Sequence, residues 1–416
     1  MAVNEKTIFV YADWNTKTPV LMGKLYSANI RGRELFSFEY SKEWIRTADP
    51  SFVFDPDLHL YEGRQYVEAD KPLFGVFSDS CPDRWGRLLI KRREAILAKD
   101  EGRKPRALTE SDYLLGVFDR TRLGALRFST EENGPFLSAD TELSAPPWTT
   151  LRTLESASLS FENDENGQEE KWLRLLLAPG SSLGGARPKA SVQAPDGSLW
   201  IAKFPSRHDE WNSGVWEIVV HDLAALCGLN VPEAKLETFS ETGGTFLVKR
   251  FDRNGDQRIH FTSAMALLGK TDGDDTADVS YLDIASFIKS NGASPKQDLK
   301  ELWKRVVFNM AVSNTDDHLR NHGFLLADNG WSLSPMYDVN PNIYGNSLSL
   351  NISSDDNAID FDLAAETARY YNIDSREAES LIADIRKTVS GNWRAIAANY
   401  GLSRSAINNM EPAFVS

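Results

Sequence analysis

The spacing of apolar and polar residues predicts strands near the start of the chain and helices near its end. Residues 7–40 alternate in polarity, which is typical of short strands with one buried face. Residues 76–97 carry apolar side chains at helical spacing and predict one helix. From Asp360 onward apolar residues again recur every three or four positions, so we expect a helical C-terminal part.

Helices and strands are interspersed in the middle of the chain. Residues 171–178 and 215–226 predict helices, and two short strands joined by a turn lie between them. Residues 281–291 and 296–314 predict two further helices. The segment Phe324–Pro335 reads F-L-L-A-D-N-G-W-S-L-S-P and predicts a hairpin with an Asn-Gly turn.

The length of 416 residues exceeds the usual size of one domain, so we expect more than one. Composition, with 41% hydrophobic and 25% charged residues, is that of an ordinary globular protein. The sequence shows no apolar run long enough for a membrane span and no export signal. We therefore expect a cytoplasmic protein whose two cysteines, Cys81 and Cys227, are buried reduced thiols.

A net charge of −14 argues against nucleic-acid binding by the whole surface. One stretch is locally basic, and we interpret it as a solvated helix face with its adjoining loop. Its residues are Arg84, Arg87, Lys91, Arg92, Arg93, Arg103, Lys104 and Arg106.

Two features between residues 182 and 217 fit phosphate binding. The run Ser182–Lys189 reads S-L-G-G-A-R-P-K, in which small residues let backbone N–H groups approach phosphate oxygens and basic residues add charge. Lys203 ends an apolar strand, and Glu217 near the start of a helix is an available partner. A strand lysine that contacts ATP phosphates and pairs with a helix glutamate is found in kinases. A plain turn and a surface lysine remain the alternatives.

The run N-T-D-D-H-L-R-N (314–321), followed by S-P-M-Y-D (334–338), concentrates polar residues beside an apolar helix. An acid at Asp316, an amide at Asn321 and a second acid at Asp338 match the order in which protein kinases place their catalytic base and magnesium ligands. The alternative is a polar capping turn.

Two other metal sites are not supported. Asp252–Asp256 resembles the opening of a calcium loop, but Gln257 and Ser263 stand where Gly and Glu are needed, so a hairpin turn is expected. His318 and His322 lie in a loop with no cysteine near, which disfavours zinc. We expect His318 to organise the loop by hydrogen bonding.

These motifs, in this order, resemble the HipA-type serine/threonine kinases of bacterial toxin–antitoxin systems. The resemblance covers most of the chain. It rests on F-S-D-S-C-P-D-R-W-G-R (77–87), S-L-G-G-A-R-P-K (182–189), L-V-K-R-F-D-R (247–253) and the two runs at 314–321 and 334–338.

The resemblance implies a role for each matching residue. Asp316 would orient the substrate hydroxyl or act as base, Asn321 and Asp338 would bind Mg²⁺, and Ser182 (or the adjacent Ser181) would be phosphorylated by the protein itself, which would switch it off. The ATP-binding residues would be Gly184, Gly185, Ala186, Arg187, Lys189, Lys203, Val248, Lys249, Arg250 and His318, with Val248 to Arg250 offering backbone groups to adenine.

The implied fold is α+β and two-lobed like a protein kinase, with a β-rich N-terminal subdomain (1–130), a small lobe with the phosphate loop (131–250) and a mostly helical C-terminal lobe (251–416). ATP and Mg²⁺ would bind between the lobes. The implied partners are a helix-turn-helix, HipB-like antitoxin that supplies most of the affinity for DNA, and a protein substrate. Some members phosphorylate an aminoacyl-tRNA synthetase, which makes such an enzyme a candidate substrate. A small-molecule kinase and a non-catalytic nucleotide-binding co-repressor remain as alternatives.

Overall fold

The chain folds into two compact units in the computed structural model. The first comprises Met1–Arg207 with Lys249–Thr262, and the second His208–Val248 with Ser263–Ser416. The predicted division into three parts stays a prediction. The residues that the structure describes are 5–14, 17–48, 53–68, 71–137, 145–163, 170–180, 185–271 and 279–414.

Strands and helices within these ranges have the following bounds. The strands are β1 (Glu5–Ala12), β2 (Val20–Ile30), β3 (Arg33–Tyr40), β4 (Gln65–Tyr66), β5 (Leu126–Ser129), β6 (Lys189–Gln193), β7 (Leu199–Lys203), β8 (Ala234–Ser240), β9 (Gly243–Lys249), β10 (Arg253–Asn254), β11 (Gln257–Arg258), β12 (Phe261–Ser263), β13 (Gly323–Ala327) and β14 (Gly330–Leu333). The helices are α1 (Lys42–Thr47), α2 (Gly75–Ser78), α3 (Arg84–Asp100), α4 (Glu110–Gly116), α5 (Leu151–Asn163), α6 (Glu170–Gly180), α7 (Ser213–Leu226), α8 (Ala264–Leu267), α9 (Tyr281–Asn291), α10 (Pro295–Ala311), α11 (Phe361–Thr367), α12 (Ser375–Asn399) and α13 (Arg404–Met410).

The first unit is built on an antiparallel sheet with strand order β4-β3-β2-β1-β5. Alternation of polarity along β1 to β3 buries one face of this sheet against an aromatic core. The rings of Phe38 and Phe77 lie 5.3 Å apart at its centre. The β6–β7 hairpin and the helices α5 and α6 complete the unit together with segment 249–262.

The second unit is mostly helical, as predicted for the C-terminal part. Helix α9 spans the predicted residues 281–291. The strands β13 and β14 form the predicted hairpin, with Ala327 opposite Gly330. The mixture of strands and helices confirms the α+β class.

Two predicted helices have different bounds in the structure. The single helix expected over residues 76–97 is wrong: α2 ends at Ser78, and α3 begins at Arg84. Pro82 disfavours helical geometry in the residue before it, and the Asp83 carboxylate caps the new helix by accepting from the Arg84 amide at 2.7 Å. Helix α10 ends at Ala311 rather than at residue 314, because Ser313 adopts a left-handed conformation with φ of 48°.

The remaining predictions outside the candidate site have mixed outcomes. The hairpin expected after Asp252 is confirmed, since β10 and β11 pair with Asn254 opposite Gln257. Cys81 and Cys227 are free, but each is only partly buried, so the predicted burial of the two thiols is incomplete. Within the described ranges, no helix combines the length and apolar character needed to cross a membrane.

The basic cluster on and after α3 is balanced locally by acidic side chains. Arg87 binds both carboxylate oxygens of Glu110, and Arg106 binds Asp112 at 2.9 Å. Arg103 contacts Glu94. These ion pairs neutralise part of the cluster's charge, and Arg87 is only partly exposed, so its interpretation as a solvated helix face stays a prediction.

Candidate functional site

The loop that follows α10 presents its two adjacent acids to opposite environments. The left-handed turn at Ser313 ends the helix, and the loop closes in a short 3-10 turn over Leu319–Asn321. Asp316 is exposed, whereas Asp317 is only 3% exposed. Asp316 is therefore the acid of this pair that a substrate can reach, and Asp317 is part of the support beneath it.

A buried hydrogen-bond network holds this loop. One oxygen of Asp317 accepts from the Tyr281 hydroxyl and the Asn309 amide, both at 2.6 Å, and lies 2.9 Å from Nε2 of His322. Burial by itself would raise the pKa of Asp317, but the interaction with His322 and the Tyr281 hydroxyl more than offset it and hold the pKa below its ordinary value. The Asp317 carboxylate thus stabilises the fold in its charged form.

We expect Asp317→Asn to lower the free energy of unfolding by about 2–4 kcal/mol at pH 7, because a neutral amide oxygen accepts these hydrogen bonds more weakly than the charged carboxylate does. The pKa of Asp317 is lower in the folded protein than in the unfolded one. The carboxylate therefore gives the parent its full stabilisation above the unfolded pKa of about 4, and the variant lacks this stabilisation. It disappears as the pH falls below that value. Urea unfolding of both proteins between pH 3 and pH 7 checks this. The exposed Asp384→Asn on α12 is the matched control, and an equal loss at every pH would contradict the role of the charge.

The segment after the β13–β14 hairpin runs beside the loop. The Tyr337 hydroxyl donates to the carbonyl of Arg320 at 2.8 Å, and the Asn342 amide donates to the Thr315 hydroxyl at 2.7 Å. Asp338 lies between these two attachments and has a left-handed backbone with φ of 57°. Such a conformation is uncommon for a residue other than glycine and is concentrated at functional sites.

The two predicted metal ligands have suitable donors. The side-chain N–H of Asn321 donates to the carbonyl of Asp316 at 2.9 Å, which commits the nitrogen of the amide and leaves its oxygen for another ligand. The backbone N–H of Asn321 also closes the turn onto the backbone carbonyl of His318 at 2.8 Å. An organising role of the His318 side chain stays a prediction. Side-chain oxygens of Asn321 and Asp338 are the hard donors that Mg²⁺ prefers.

In the first unit, the structure brings two predicted phosphate-binding lysines together. Lys189 at the start of β6 lies directly opposite Lys203 at the end of β7. Both are buried, with 6% and 9% of their surfaces exposed. Directly opposed residues of an antiparallel pair have their Cβ atoms about 5 Å apart and lie on the same face of the hairpin. The hairpin therefore carries both predicted phosphate-binding side chains on one face.

Gly185 is the first described residue of the predicted phosphate loop, and it lies beside the Lys189 ammonium group. Its φ is 79°, and a Cβ atom there would lie 2.8 Å from Nζ of Lys189, so glycine allows the close approach. Ala186 is exposed, and Arg187 Nε donates to the carbonyl of Phe204 at 2.9 Å. Ser181, Ser182, Leu183 and Gly184 lie outside the described residues.

The backbone and side chains of the predicted adenine-binding segment, Val248 to Arg250, form contacts that the sequence did not indicate. Val248 ends the pairing of β9 with β8, opposite Ala234. The Arg250 amide donates to the carbonyl of Leu199 at 2.9 Å, so only its carbonyl stays a candidate for adenine. The Arg250 guanidinium is buried against Asp252.

Asp252 and its arginines anchor this segment within the first unit. The carboxylate accepts from Arg250, from Arg253 at 2.7 Å and from the Gly124 amide at 2.8 Å. Arg250 also donates to the carbonyl of Thr121 at 2.6 Å. Lys249 follows Val248 as the last residue of β9.

Lys203 and Glu217 are each buried, Lys203 in the first unit and Glu217 on α7 in the second. Their pairing stays a prediction.

The supporting residues Tyr281, Asn309 and Asp317 were missed from the sequence. Tyr281 lies 36 residues before Asp317, and no local pattern links the two. The capping box at Ser280 and Asp283 marks the start of α9 and so places Tyr281 in its first turn, but it does not indicate where the ring points.

The sequence model of the HipA-like C-terminal domain family matches residues 181–393, which is just over half of the chain. The chain therefore belongs to the HipA-like C-terminal domain family. The match includes the predicted phosphate loop, both lysines, and Asp316, Asn321 and Asp338, and it confirms the resemblance seen in the sequence.

Sequence relatives of this HipA-like chain include proteins named as kinases. The Y4mE protein of Sinorhizobium fredii, whose name describes a kinase, is 30% identical over 182 residues, covering 38% of this chain and 41% of that protein. The serine/threonine-protein kinase toxin HipA of Shewanella oneidensis is 26% identical over 193 residues, covering 39% of this chain and 43% of that protein. The chain thus spans about two fifths of the length of these relatives.

The fold is also similar to that of a solved HipA. The structure of the HipA, HipB and operator DNA complex of the Shewanella oneidensis toxin–antitoxin system aligns with a TM-score of 0.67 and 17% identity. The alignment covers 98% of this chain and 95% of that one. At this identity the likeness establishes the fold.

Proposed function

We propose that this HipA-like chain is an ATP- and Mg²⁺-dependent protein serine/threonine kinase that acts as the toxin of a toxin–antitoxin pair. The observation that carries the proposal is the arrangement around Asp316. An exposed carboxylate sits on a loop held by a buried network, Asn321 is oriented by the Asp316 carbonyl, and the segment carrying Asp338 is bonded along the same loop. The names of the kinase relatives support the same reaction class.

Each residue has a defined task in this proposal. Asp316 accepts a hydrogen bond from the substrate hydroxyl, orients its oxygen and takes up its proton as the hydroxyl attacks. Asn321 and Asp338 would hold Mg²⁺ through their side-chain oxygens. Lys189 and Lys203 would bind the phosphates of ATP.

The bound Mg²⁺–ATP would supply the transferable phosphoryl group and neutralise the charge that develops on it. Positioning and charge neutralisation provide most of the rate in this type of reaction, so the protein needs few reacting groups of its own. Backbone groups of Val248 and Lys249 and the carbonyl of Arg250 would receive the adenine.

The proposal includes regulation and partners. Phosphorylation of Ser182, or of the adjacent Ser181, by the protein itself would place a dianion where the loop must cover ATP phosphates, and would switch the enzyme off. A HipB-like antitoxin with a helix-turn-helix would bind the chain and connect it to operator DNA. The solved Shewanella complex, which contains HipA, HipB and operator DNA, supports this part of the proposal. An aminoacyl-tRNA synthetase is a candidate substrate, and the cytoplasm is the expected location.

Incubation of the chain with labelled ATP, Mg²⁺ and host lysate tests the reaction. We expect label on serine or threonine residues of a protein, identified by mass spectrometry, and no label when Mg²⁺ is chelated. Label on a metabolite alone would identify a small-molecule kinase. Nucleotide binding with no transfer to any acceptor would favour a co-repressor, and both outcomes would overturn the proposal.

We expect Asp338→Ala to weaken the binding of ATP at least about tenfold when Mg²⁺ is present, because a metal ligand is lost. Binding of ATP measured in EDTA should change little. Calorimetric titration under both conditions checks this. Equal affinities for Mg²⁺–ATP in the variant and the parent would contradict the assignment of Asp338 as a ligand.

A further inference from the structure

Helix α3 begins at the point where the candidate phosphate loop rejoins the described part of the chain. Asp83, which precedes the helix, accepts from the Gly185 amide at 2.6 Å through its second carboxylate oxygen. Its first oxygen caps the helix by accepting from the Arg84 amide. One carboxylate therefore joins the start of α3 to a glycine more than one hundred residues away in sequence.

Trp85 in the first turn of α3 adds two further bonds. Its backbone amide donates to the carbonyl of Gly185 at 3.1 Å, and its indole N–H donates to the carbonyl of Lys189 at 2.9 Å. Trp85 is 2% exposed, so both bonds are protected from water. Amide and carbonyl of Gly185 are thus both bound by the start of α3.

The other end of the loop meets the same residue. Gly180 at the end of α6 is buried, and a Cβ atom there would lie 2.9 Å from the indole nitrogen of Trp85 and 3.0 Å from the carbonyl of Lys189. Only glycine allows this close packing. The chain therefore enters and leaves the loop against the first turn of α3.

We propose that Asp83 is a positioning residue for nucleotide phosphates, supported by Trp85. It fixes the backbone of Gly185, and thereby the Lys189 ammonium group beside it, in the geometry that phosphate oxygens require. This inference rests on the proposed kinase function, in which Lys189 binds ATP phosphates. It adds a residue of the N-terminal segment to those that determine ATP binding. Nothing in it requires Asp83 to touch the nucleotide.

The negative charge of Asp83 makes the inference testable by the direction in which the affinity for ATP changes when Asp83 is replaced. A carboxylate near a phosphate site repels the phosphates, so its removal would tighten ATP binding if charge alone mattered. Loss of the bond to Gly185 loosens the loop and weakens ATP binding, since small displacements of positioned groups can cost up to about 10²-fold. The two explanations predict opposite changes in affinity.

Asp83→Ser is the informative variant, because serine is a good N-cap but has one oxygen and a shorter reach. In an Asp316→Asn background, in which transfer is expected to be about 10³-fold slower, we expect Asp83→Ser to raise the Kd for Mg²⁺–ATP about tenfold. The Kd for adenosine, which lacks phosphates, should stay within about twofold. Asp83→Asn, which keeps an oxygen of the same reach, should lie between serine and the parent.

Two further variants separate positioning from stability. Asp374→Ala removes the N-cap of α12, where the carboxylate accepts only from the Glu377 amide among the described contacts, and should lower the melting temperature without changing either Kd. Trp85→Phe keeps an aromatic ring but loses the indole N–H, and should weaken Mg²⁺–ATP by roughly threefold with adenosine unchanged.

The outcomes distinguish this inference from the proposed function. If the parent binds no ATP, the kinase proposal fails and this inference falls with it. If the parent binds ATP and Asp83→Ser binds it equally or more tightly, only the positioning role is overturned. Equal weakening of ATP and adenosine would also overturn it, since a general loss of structure would explain both.

Discussion

Asp316→Asn is expected to reduce phosphate transfer by about 10³-fold while the protein remains folded. Removal of a general base or hydroxyl-orienting carboxylate typically costs 10²–10⁴-fold in rate. Asp316 is exposed, and the oxygen that accepts from Asn321 is its backbone carbonyl, so the substitution keeps this hydrogen bond. Initial rates with labelled ATP, together with thermal unfolding, measure both quantities.

The matched control is Asp384→Asn, which makes the same chemical change on an exposed face of α12. It should transfer phosphate at the parent rate. Affinity for Mg²⁺–ATP should be similar in all three proteins, because Asp316 acts on the substrate hydroxyl in the proposed mechanism. Transfer by Asp316→Asn at more than a tenth of the parent rate would show that another group carries the reaction.

Asp252→Ala should destabilise the protein by about 3–5 kcal/mol, because it leaves buried guanidinium groups without their carboxylate. Asp252 is 1% exposed and accepts from Arg250, from Arg253 and from the Gly124 amide. Burial would raise the pKa of Asp252, but the two arginines outweigh it and lower the pKa. Its contribution is therefore complete above about pH 4 and is lost as the pH falls further.

Urea unfolding at pH 7 measures this effect. Asp256→Ala is the control, since Asp256 is exposed in the turn of the β10–β11 hairpin that follows Asp252, and it should change stability by less than about 0.5 kcal/mol. A loss below about 1 kcal/mol for Asp252→Ala would show that the arginines reach water or other acceptors. The anchoring role of Asp252 would then be wrong.

The sequence predicts much of the local structure because the determining interactions are close along the chain. Helix α9 has the predicted bounds, since a capping box and a regular apolar face lie within a few residues of one another. The Asn-Gly hairpin is confirmed for the same reason. The break between α2 and α3 was missed although Pro82 marks it, because the apolar spacing continues across the proline.

The candidate site was predictable in its residue types but not in its support. The order of Asp316, Asn321 and Asp338 is a local pattern that chemistry can interpret. One of the two adjacent acids, Asp317, is buried, and its carboxylate accepts from the hydroxyl of Tyr281 on α9. The local sequence does not indicate this contact. The attachment of Gly185 to Asp83 spans 102 residues, and single-sequence periodicity carries no information on such contacts.

The return of the chain to the first unit has a consequence for its synthesis. Arg258 binds Asp119 across 139 residues, and the intervening chain includes the whole 208–248 excursion into the second unit. At translation rates of roughly 5–20 residues per second, Asp119 emerges from the ribosome on the order of ten seconds before its partner. During that interval the nascent N-terminal sheet lacks the arginines of its last segment, so the folding of this unit is completed only after part of the next has been made.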